Sequence, residues 1–380
     1  MTGTHAPLAP SGAFRRGRCP GSRALEARVP QVETPEAAEG TAAHHVMAEY
    51  LTYASYSPVG TILPNGIPSD QDMIDGALMV AKDVMDRIGM AVEVWEALVV
   101  ERPVAAPNLI HAECYGTPDA RYVDRYRKRI RVWDYKYGHG YVEAHENPQG
   151  IEYLAGVIET DLGGWPEDDQ EWTFEFTIVQ PREYGRLGPI RRWCGKLTDL
   201  RAHFNYWSDR EARAMDHNAP TIAGPVQCKN CSAIVGCEAN QRYVSQLADY
   251  VGGNTPFDPP PAVVGAELTM LKRIDQMVSA RIAGLEAVAA AQIGTGLSVP
   301  GWHMERGQSR LKWSKPAAEV IAAMQLMYGK DVSKPECITP TQAIKLGIDE
   351  AVISQYSQRP PGALKLAPIN YTQVAKAFKQ

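Results

Sequence analysis

The chain contains no apolar run approaching about 18 residues, so nothing in it is expected to span a membrane. Its first residues lack the apolar stretch of a secretory signal, and the expected location is the cytoplasm. Positive charge is not in excess either. Lys and Arg number 39 against 44 Asp and Glu, a net charge of −5, which argues against coating nucleic acid by bulk charge but leaves local basic grooves open. A G-x-x-x-x-G-K-S/T segment is missing, which excludes an ATP-driven motor of the P-loop kind. No compact base-reading module, such as a helix-turn-helix or a C₂H₂ finger, is visible. Cysteine is scarce and odd in number, with 7 in 380 residues. In a cytoplasmic chain that speaks for metal or cluster ligation over disulfides. What is there, 44% hydrophobic and 22% charged residues, is the composition of a soluble globular protein. The length suggests about two domains.

The most informative stretch runs from Gly116 to Tyr153. It opens with Gly116-Thr117-Pro118-Asp119-Ala120, continues to Asp134-Tyr135-Lys136, and ends with Gln149 and Tyr153. Arg129–Lys136 alternates polar and apolar residues with the period of a half-buried strand. That period places Asp134 and Lys136 on one face, with Trp133 and Tyr135 on the other. Two hard carboxylates beside an ammonium group suit metal-assisted phosphodiester hydrolysis, with Mg²⁺ or Mn²⁺ on the acids. Pro148–Leu162 reads as a helix with proline in its first turn, and Gln149 and Tyr153 share one of its faces. There a glutamine can bond a phosphate or the lysine, and a tyrosine can stack on a base.

Pro118-Asp119 followed by Asp134-x-Lys136 resembles the PD-(D/E)XK nuclease signature, and Gln149-x-x-x-Tyr153 resembles the extra motif of its RecB-type branch. The likeness covers roughly residues 8–245. It implies an α/β, restriction-endonuclease-like core with a central mixed sheet flanked by helices, and Asp119, Asp134 and Lys136 as catalytic residues. It also implies metal ligation by His44, Asp119, Asp134 and the Tyr135 backbone carbonyl, with Gln149 and Tyr153 on the substrate. In that branch a Gly-x-x-x-His helix delivers a histidine to the metal. Gly40 and His44 fit the spacing within a small-residue helix over 36–51, with His45 as the adjacent competitor.

Four cysteines tighten the likeness to the branch carrying an iron–sulfur cluster, which includes CRISPR-adaptation nucleases and phage-encoded exonucleases. Cys228-x-x-Cys231 followed by Cys237 is a metal or cluster knuckle with three ligands. Cys19, followed by Pro20 near the start of the chain, would supply the fourth. The resemblance favours a 4Fe–4S cluster stapling the two ends of the nuclease fold, and structural Zn²⁺ is the close rival. Cys114 reads as core. The implied substrate is DNA, the implied setting a bacterial host or phage-infected cell, and the implied partner a single-strand annealing protein or another recombination factor.

Further features follow the same axis. Ser11 is a candidate cap for a short helix through Arg18. The stripe Met73, Ala77, Val80, Val84 and Ile88 is core on a helix over 71–89. Segments 97–104 and 109–115 read as short strands, on which Glu101 and Glu113 are solvated positions in the plainer reading and metal ligands in the sharper one. Arg121, Arg125, Arg127, Lys128, Arg129 and Arg131 crowd the hairpin, and Arg182, Arg186, Arg191 and Arg192 follow a strand over 171–181. Both sets suit phosphate contacts. Residues 196–217 read as helix. The organisation expected is a nuclease domain over 1–250, closed at its ends by the cysteines, a linker over 251–261, and a mainly helical region over 262–380 of unassigned role. In that region 262–293 reads as a long Ala-rich helix, 301–313 mixes basic and aromatic residues, and helices are expected at 316–328 and 340–347. Two activities compete: a metal-dependent DNA exonuclease, with endonuclease as its variant, and a catalytically idle DNA-binding or assembly protein with a zinc knuckle.

Overall fold

The computed structural model describes residues 6–30, 33–89, 91–183, 188–248, 260–302 and 304. Arg186, Cys337, most of the expected linker, nearly all of the 301–313 stretch and the helices expected at 316–328 and 340–347 lie outside the described residues.

The chain begins with a 3₁₀ turn over Pro10–Gly12 that runs into α1 (Ala13–Arg16), followed by α2 (Ser22–Glu26). α3 (Pro35–Tyr53) starts where Thr34 accepts the Ala37 N–H at 3.2 Å and Pro35 supplies a fixed φ at the first helical position. α4 (Gln71–Ile88) is capped by Asp70, which accepts the Met73 N–H at 2.8 Å. The stripe expected on α4 is core: Met73, Ala77, Val80 and Val84 are all buried. α5 (Val92–Glu96) leads into β1 (Val99–Val100), β2 (Val104–Ala105), β3 (Tyr115–Gly116), β4 (Ala120–Asp124) and β5 (Arg129–Tyr135). Then come α6 (Pro148–Val157) with a wider π-type turn over Ile158–Leu162, β6 (Thr173–Val179), β7 (Ile190–Lys196) and α7 (Leu200–Met215). α8 (Glu238–Ala248) and α9 (Pro261–Gly294) close the described chain.

The sheet order is β1-β4-β5-β6-β7, with β5 and β6 parallel and the remaining pairs antiparallel. It is therefore the mixed sheet flanked by helices that the sequence led us to expect. The β5–α6–β6 connection gives the parallel pair its required crossover. On one face, Ile130 and Val132 of β5 and Phe174, Phe176 and Ile178 of β6 pack with Ile151 and Leu154 of α6 and Phe204 of α7. On the other, Trp133 and Tyr135 pack with Ala42, Ala43 and Val46 of α3 and with Ala77 and Val80 of α4. Small residues permit both approaches. A Cβ at Gly150 would stand 2.6 Å from the Phe176 ring, and one at Gly76 would collide with Tyr135 Oη.

One expected strand is not formed. Residues 109–113 turn instead, because the N–H groups of Ile110 and His111 both return to the Ala106 carbonyl, at 3.1 and 2.9 Å. Only Tyr115–Gly116 pairs, with Val104–Ala105. The first compact unit runs to Ala291 and so takes in most of α9. Met277 of α9 is fully buried and packs with Cys228 and Ile234. No helix among the described residues is long and apolar enough to cross a membrane.

Candidate functional site

β1 and β4 pair antiparallel with Val100 opposite Ala120, so the residues beyond the pair, Glu101 and Asp119, also face each other. The Glu101 N–H donates to the Asp119 carbonyl at 3.1 Å. To follow this path Glu101 takes φ +46°, a left-handed conformation that a non-glycine residue adopts at a cost of about 1–3 kcal/mol. α3 crosses the same edge and brings in His44. Its Nδ1 lies 3.0 Å from Asp119 Oδ1 and 3.8 Å from Glu101 Oε1. One donor atom from each of His44, Glu101 and Asp119 falls within 4.8 Å of the others, a group able to hold a divalent cation. His45 is exposed to solvent.

Burial alone would disfavour a charged His44, but Asp119 and then Glu101 outweigh it and push its pKa up to about 10. A protonated His44 so placed competes with a cation for the two carboxylates. Asp119 is fixed from its other side, since Oδ2 accepts the Tyr135 backbone N–H at 2.5 Å. Tyr135 also packs its ring on His44, with centroids 5.2 Å apart.

Asp134 and Lys136 leave β5 on the α6 side, and Asp134 is buried. Lys136 Nζ stands 2.8 Å from Asp134 Oδ2 and forms an ion pair with it. Burial pushes the Asp134 carboxyl above the usual carboxylate range, opposed by Lys136. The lysine also donates to Gln149 Oε1 at 2.8 Å, and Gln149 Nε2 reaches Tyr153 Oη at 3.2 Å. The four side chains form one relay, Asp134–Lys136–Gln149–Tyr153, in which the helix residues four apart support the strand lysine. Asn147 starts that helix by accepting the Gly150 N–H at 3.2 Å, which sets Gln149 in its first turn.

Cys19, Cys228, Cys231 and Cys237 line one cavity. Cys19, Cys228 and Cys237 are buried. Backbone N–H groups point at two of the sulfurs, Ile222 to Cys19 Sγ at 3.2 Å and Gly224 to Cys228 Sγ at 3.4 Å. Arg15 ties the knuckle to α1 by donating to the carbonyls of Gln227 and Asn230, at 3.2 and 2.8 Å. The thiols thus come from both ends of the α/β unit. The side chains around them include two buried polar atoms without a partner among the described residues, Ser22 Oγ and Asn240 Nδ2. Such atoms fit an occupant able to accept hydrogen bonds.

Residues 5–372 match the sequence family described as "Protein of unknown function (DUF2800)". The chain belongs to that family. The match covers both the carboxylate group and the cysteine cavity of this DUF2800 member.

Set beside the sequence expectations, the geometry brings His44 and Asp119 together, adds Glu101, and turns Asp134 toward Lys136. Glu101 is exposed, as its plainer reading of a solvated strand position has it, and the pairing that sets it beside Asp119 is non-local. Cys114 is core, as read. The basic residues expected on phosphate are largely committed elsewhere. Arg121 is buried on Asp161 at 2.7 Å, and Arg125 donates to the Asp161 carbonyl. Arg131 is buried beside Glu175, Lys128 pairs with Asp168 at 2.6 Å, and Arg192 pairs with Asp83. Arg182 pairs with Glu39 at 2.8 Å, and Arg191 is buried with donations to Val142 O, Gly188 O and Gln180 Oε1. These charges hold the hairpin and the β6–β7 end together. Arg102, exposed next to Glu101, forms no ion pair among the described residues.

Proposed function

We propose that this protein is a metal-dependent deoxyribonuclease that shortens DNA from an end, with Asp119, Asp134 and Lys136 as its catalytic residues. The observation that carries the reading is the adjacency, on one strand, of the Asp119–Tyr135 hydrogen bond and the Lys136–Gln149–Tyr153 relay. It joins a group able to hold a cation to Tyr135, the neighbour in sequence of Lys136. His44, Glu101 and Asp119 would hold Mg²⁺ or Mn²⁺, with Asp134 and the Tyr135 carbonyl completing the set. Bound there, the cation would make hydroxide cheaper to form from water and offset charge developing on a phosphate.

The protein's own groups do the rest. Lys136 Nζ donates to a phosphate oxygen or to the attacking water, and Gln149 holds it in position for that. Tyr153, itself buried, fixes the Gln149 amide from the far side of the relay. Arg102, without an ion pair among the described residues, would take an adjoining phosphate.

The cysteine cavity would hold a 4Fe–4S cluster, with Zn²⁺ as the rival. Its place in the mechanism is structural. Pro10 packs where a Cβ on Gly116 would stand, next to Tyr153, and Arg16 joins α1 to Glu211 at 2.6 Å. Securing Cys19 therefore secures one wall of the site. DNA is the proposed substrate, with recombination and a single-strand annealing protein as the proposed setting and partner. End dependence rests on the RecB-type likeness and on the missing base-reading module. The test is digestion of end-labelled linear DNA and covalently closed circles with Mg²⁺ or Mn²⁺. Progressive shortening of linear DNA with circles untouched supports the reading; discrete fragments from circles contradict it.

A further inference from the structure

The cysteine cavity has a second layer that no ligand motif announces. Asn240, at the start of α8, is 0% exposed, and its Oδ1 accepts from Arg281 of α9 at 3.2 Å. The same guanidinium nitrogen also donates to the Ile234 carbonyl within the knuckle, at 3.3 Å. Because Oδ1 is engaged by a cation, the amide orientation is fixed, and Nδ2 is the end left over. That Nδ2 is buried without a partner among the described residues, in a residue lining the cavity with the four cysteines. Ser22 stands in the same position from the N-terminal side. It is 2% exposed, its Oγ has no partner among the described residues, and it lines the same cavity.

An unpaired buried donor is costly, and two around one small cavity are not explained by packing. A bare tetrahedral Zn²⁺ with four thiolates offers acceptors only on sulfurs, two of which already receive N–H groups from Ile222 and Gly224. A cluster would add sulfides as further acceptors for such donors. Taking up the cysteine-cavity reading above, we infer that Asn240 and Ser22 donate hydrogen bonds to the sulfur atoms of a cysteine-held iron–sulfur cluster. Arg281 of α9 is the positioning residue that aims Asn240 at it. α9 thereby closes the cavity with Met277 and orients a donor with Arg281.

Donors to sulfur favour the more negatively charged, reduced cluster and so raise its reduction potential. Full-length protein purified without oxygen, with dithionite titration followed by visible absorption and electron paramagnetic resonance, tests the assignment. Asn240→Asp keeps an oxygen for Arg281 but replaces the donor with an acceptor. It should move the midpoint to more negative potential and speed iron release to a chelator roughly tenfold or more. Ser22→Ala should shift the midpoint in the same direction. Arg281→Met should reproduce part of the Asn240 effect, since it frees the amide to turn. Asn240→Leu, apolar and of similar volume, controls for the added charge and should also lower the midpoint. Unchanged midpoints in Asn240→Leu and Ser22→Ala, with iron and sulfide present in the parent, would overturn this inference and leave the cluster reading standing. A parent with stoichiometric zinc and no iron or sulfide would overturn both.

Discussion

Glu101 and Asp119 are joined through the backbone, N–H to carbonyl at 3.1 Å, and through the side chains, both carboxylates turning to Nδ1 of His44 at 3.8 and 3.0 Å. The strand pair that ends the sheet therefore also builds the cation group. Glu101 holds its left-handed φ only because that pairing over-determines it. Glu101→Gly should change the thermal stability of the protein little, because relief of strain of about 1–3 kcal/mol is offset by the added chain entropy and by the lost contact with His44. The same change should weaken Mn²⁺ binding about tenfold or more. Calorimetric titration beside thermal unfolding checks it; a large loss of stability with unaltered affinity would refute the role.

The raised pKa of His44 gives a pH dependence with a definite sign. Metal-free, the group rises from 6.5 to about 10, so the stability it contributes is fully present below pH 6.5 and is lost as pH climbs through about 10. Cation binding must displace that proton, so apparent Mn²⁺ affinity should rise with pH across this window, by up to about tenfold per unit. His44→Ala should flatten both curves. Parallel pH titrations of the parent and the variant read this directly.

Removing any of Cys19, Cys228, Cys231 or Cys237 should cost the bound metal and lower solubility, because ligation energy is folding energy at such sites. Cys114 lies in the main core and Cys194 is exposed, so Ser at either should leave metal content intact. Elemental analysis of oxygen-free preparations checks all six, and loss of metal from Cys194→Ser would refute the ligand set.

A buried ionic cluster joins the N-terminal arm to α6 and α7. Arg16 is bidentate to Glu211 at 2.6 and 2.9 Å and lies 3.5 Å from Glu152. Burial, and then Glu211, hold the Glu152 carboxyl well above its ordinary value of 4.5, against the pull of Arg16. A raised carboxyl contributes stability at low pH that is lost as pH rises toward its folded value. Glu152→Gln should therefore unfold at higher temperature than the parent at pH 8, with the gap closing toward pH 5. Arg16→Ala should destabilise by about 3–5 kcal/mol, since it leaves Glu211 buried and unpaired. Unfolding curves across pH give both numbers.

Much of this was legible because it was local or periodic. Alternation alone put Asp134 and Lys136 on one face of β5, and helical spacing put Gln149 and Tyr153 together on α6. For Glu101 the sequence offers both a metal ligand and a solvated strand position, and favours the second. Its place depends on β1 pairing with β4 across the chain, and a two-residue strand has too little pattern to announce that. The arginines misled for a related reason. Composition shows that Arg121, Arg131 and Arg191 are charged, while only the fold shows Asp161, Glu175 and Gln180 waiting for them. Asn240 carried no signal, because a buried donor is recognised by the partner it lacks.

The central claim is that Asp119 and Lys136 belong to one metal-dependent phosphodiesterase site. It is tested most directly by cleavage of end-labelled linear DNA in Mn²⁺, comparing the parent with Asp119→Asn and Lys136→Ala in contaminant-free preparations. The account predicts shortening by the parent that stops when the metal is chelated, with loss of about 100-fold or more in rate for each variant. Asp119→Asn should also lose Mn²⁺ affinity, whereas Lys136→Ala should keep it. Cleavage by both variants at the parental rate, or a parent inactive on DNA with Mn²⁺ bound, would contradict it.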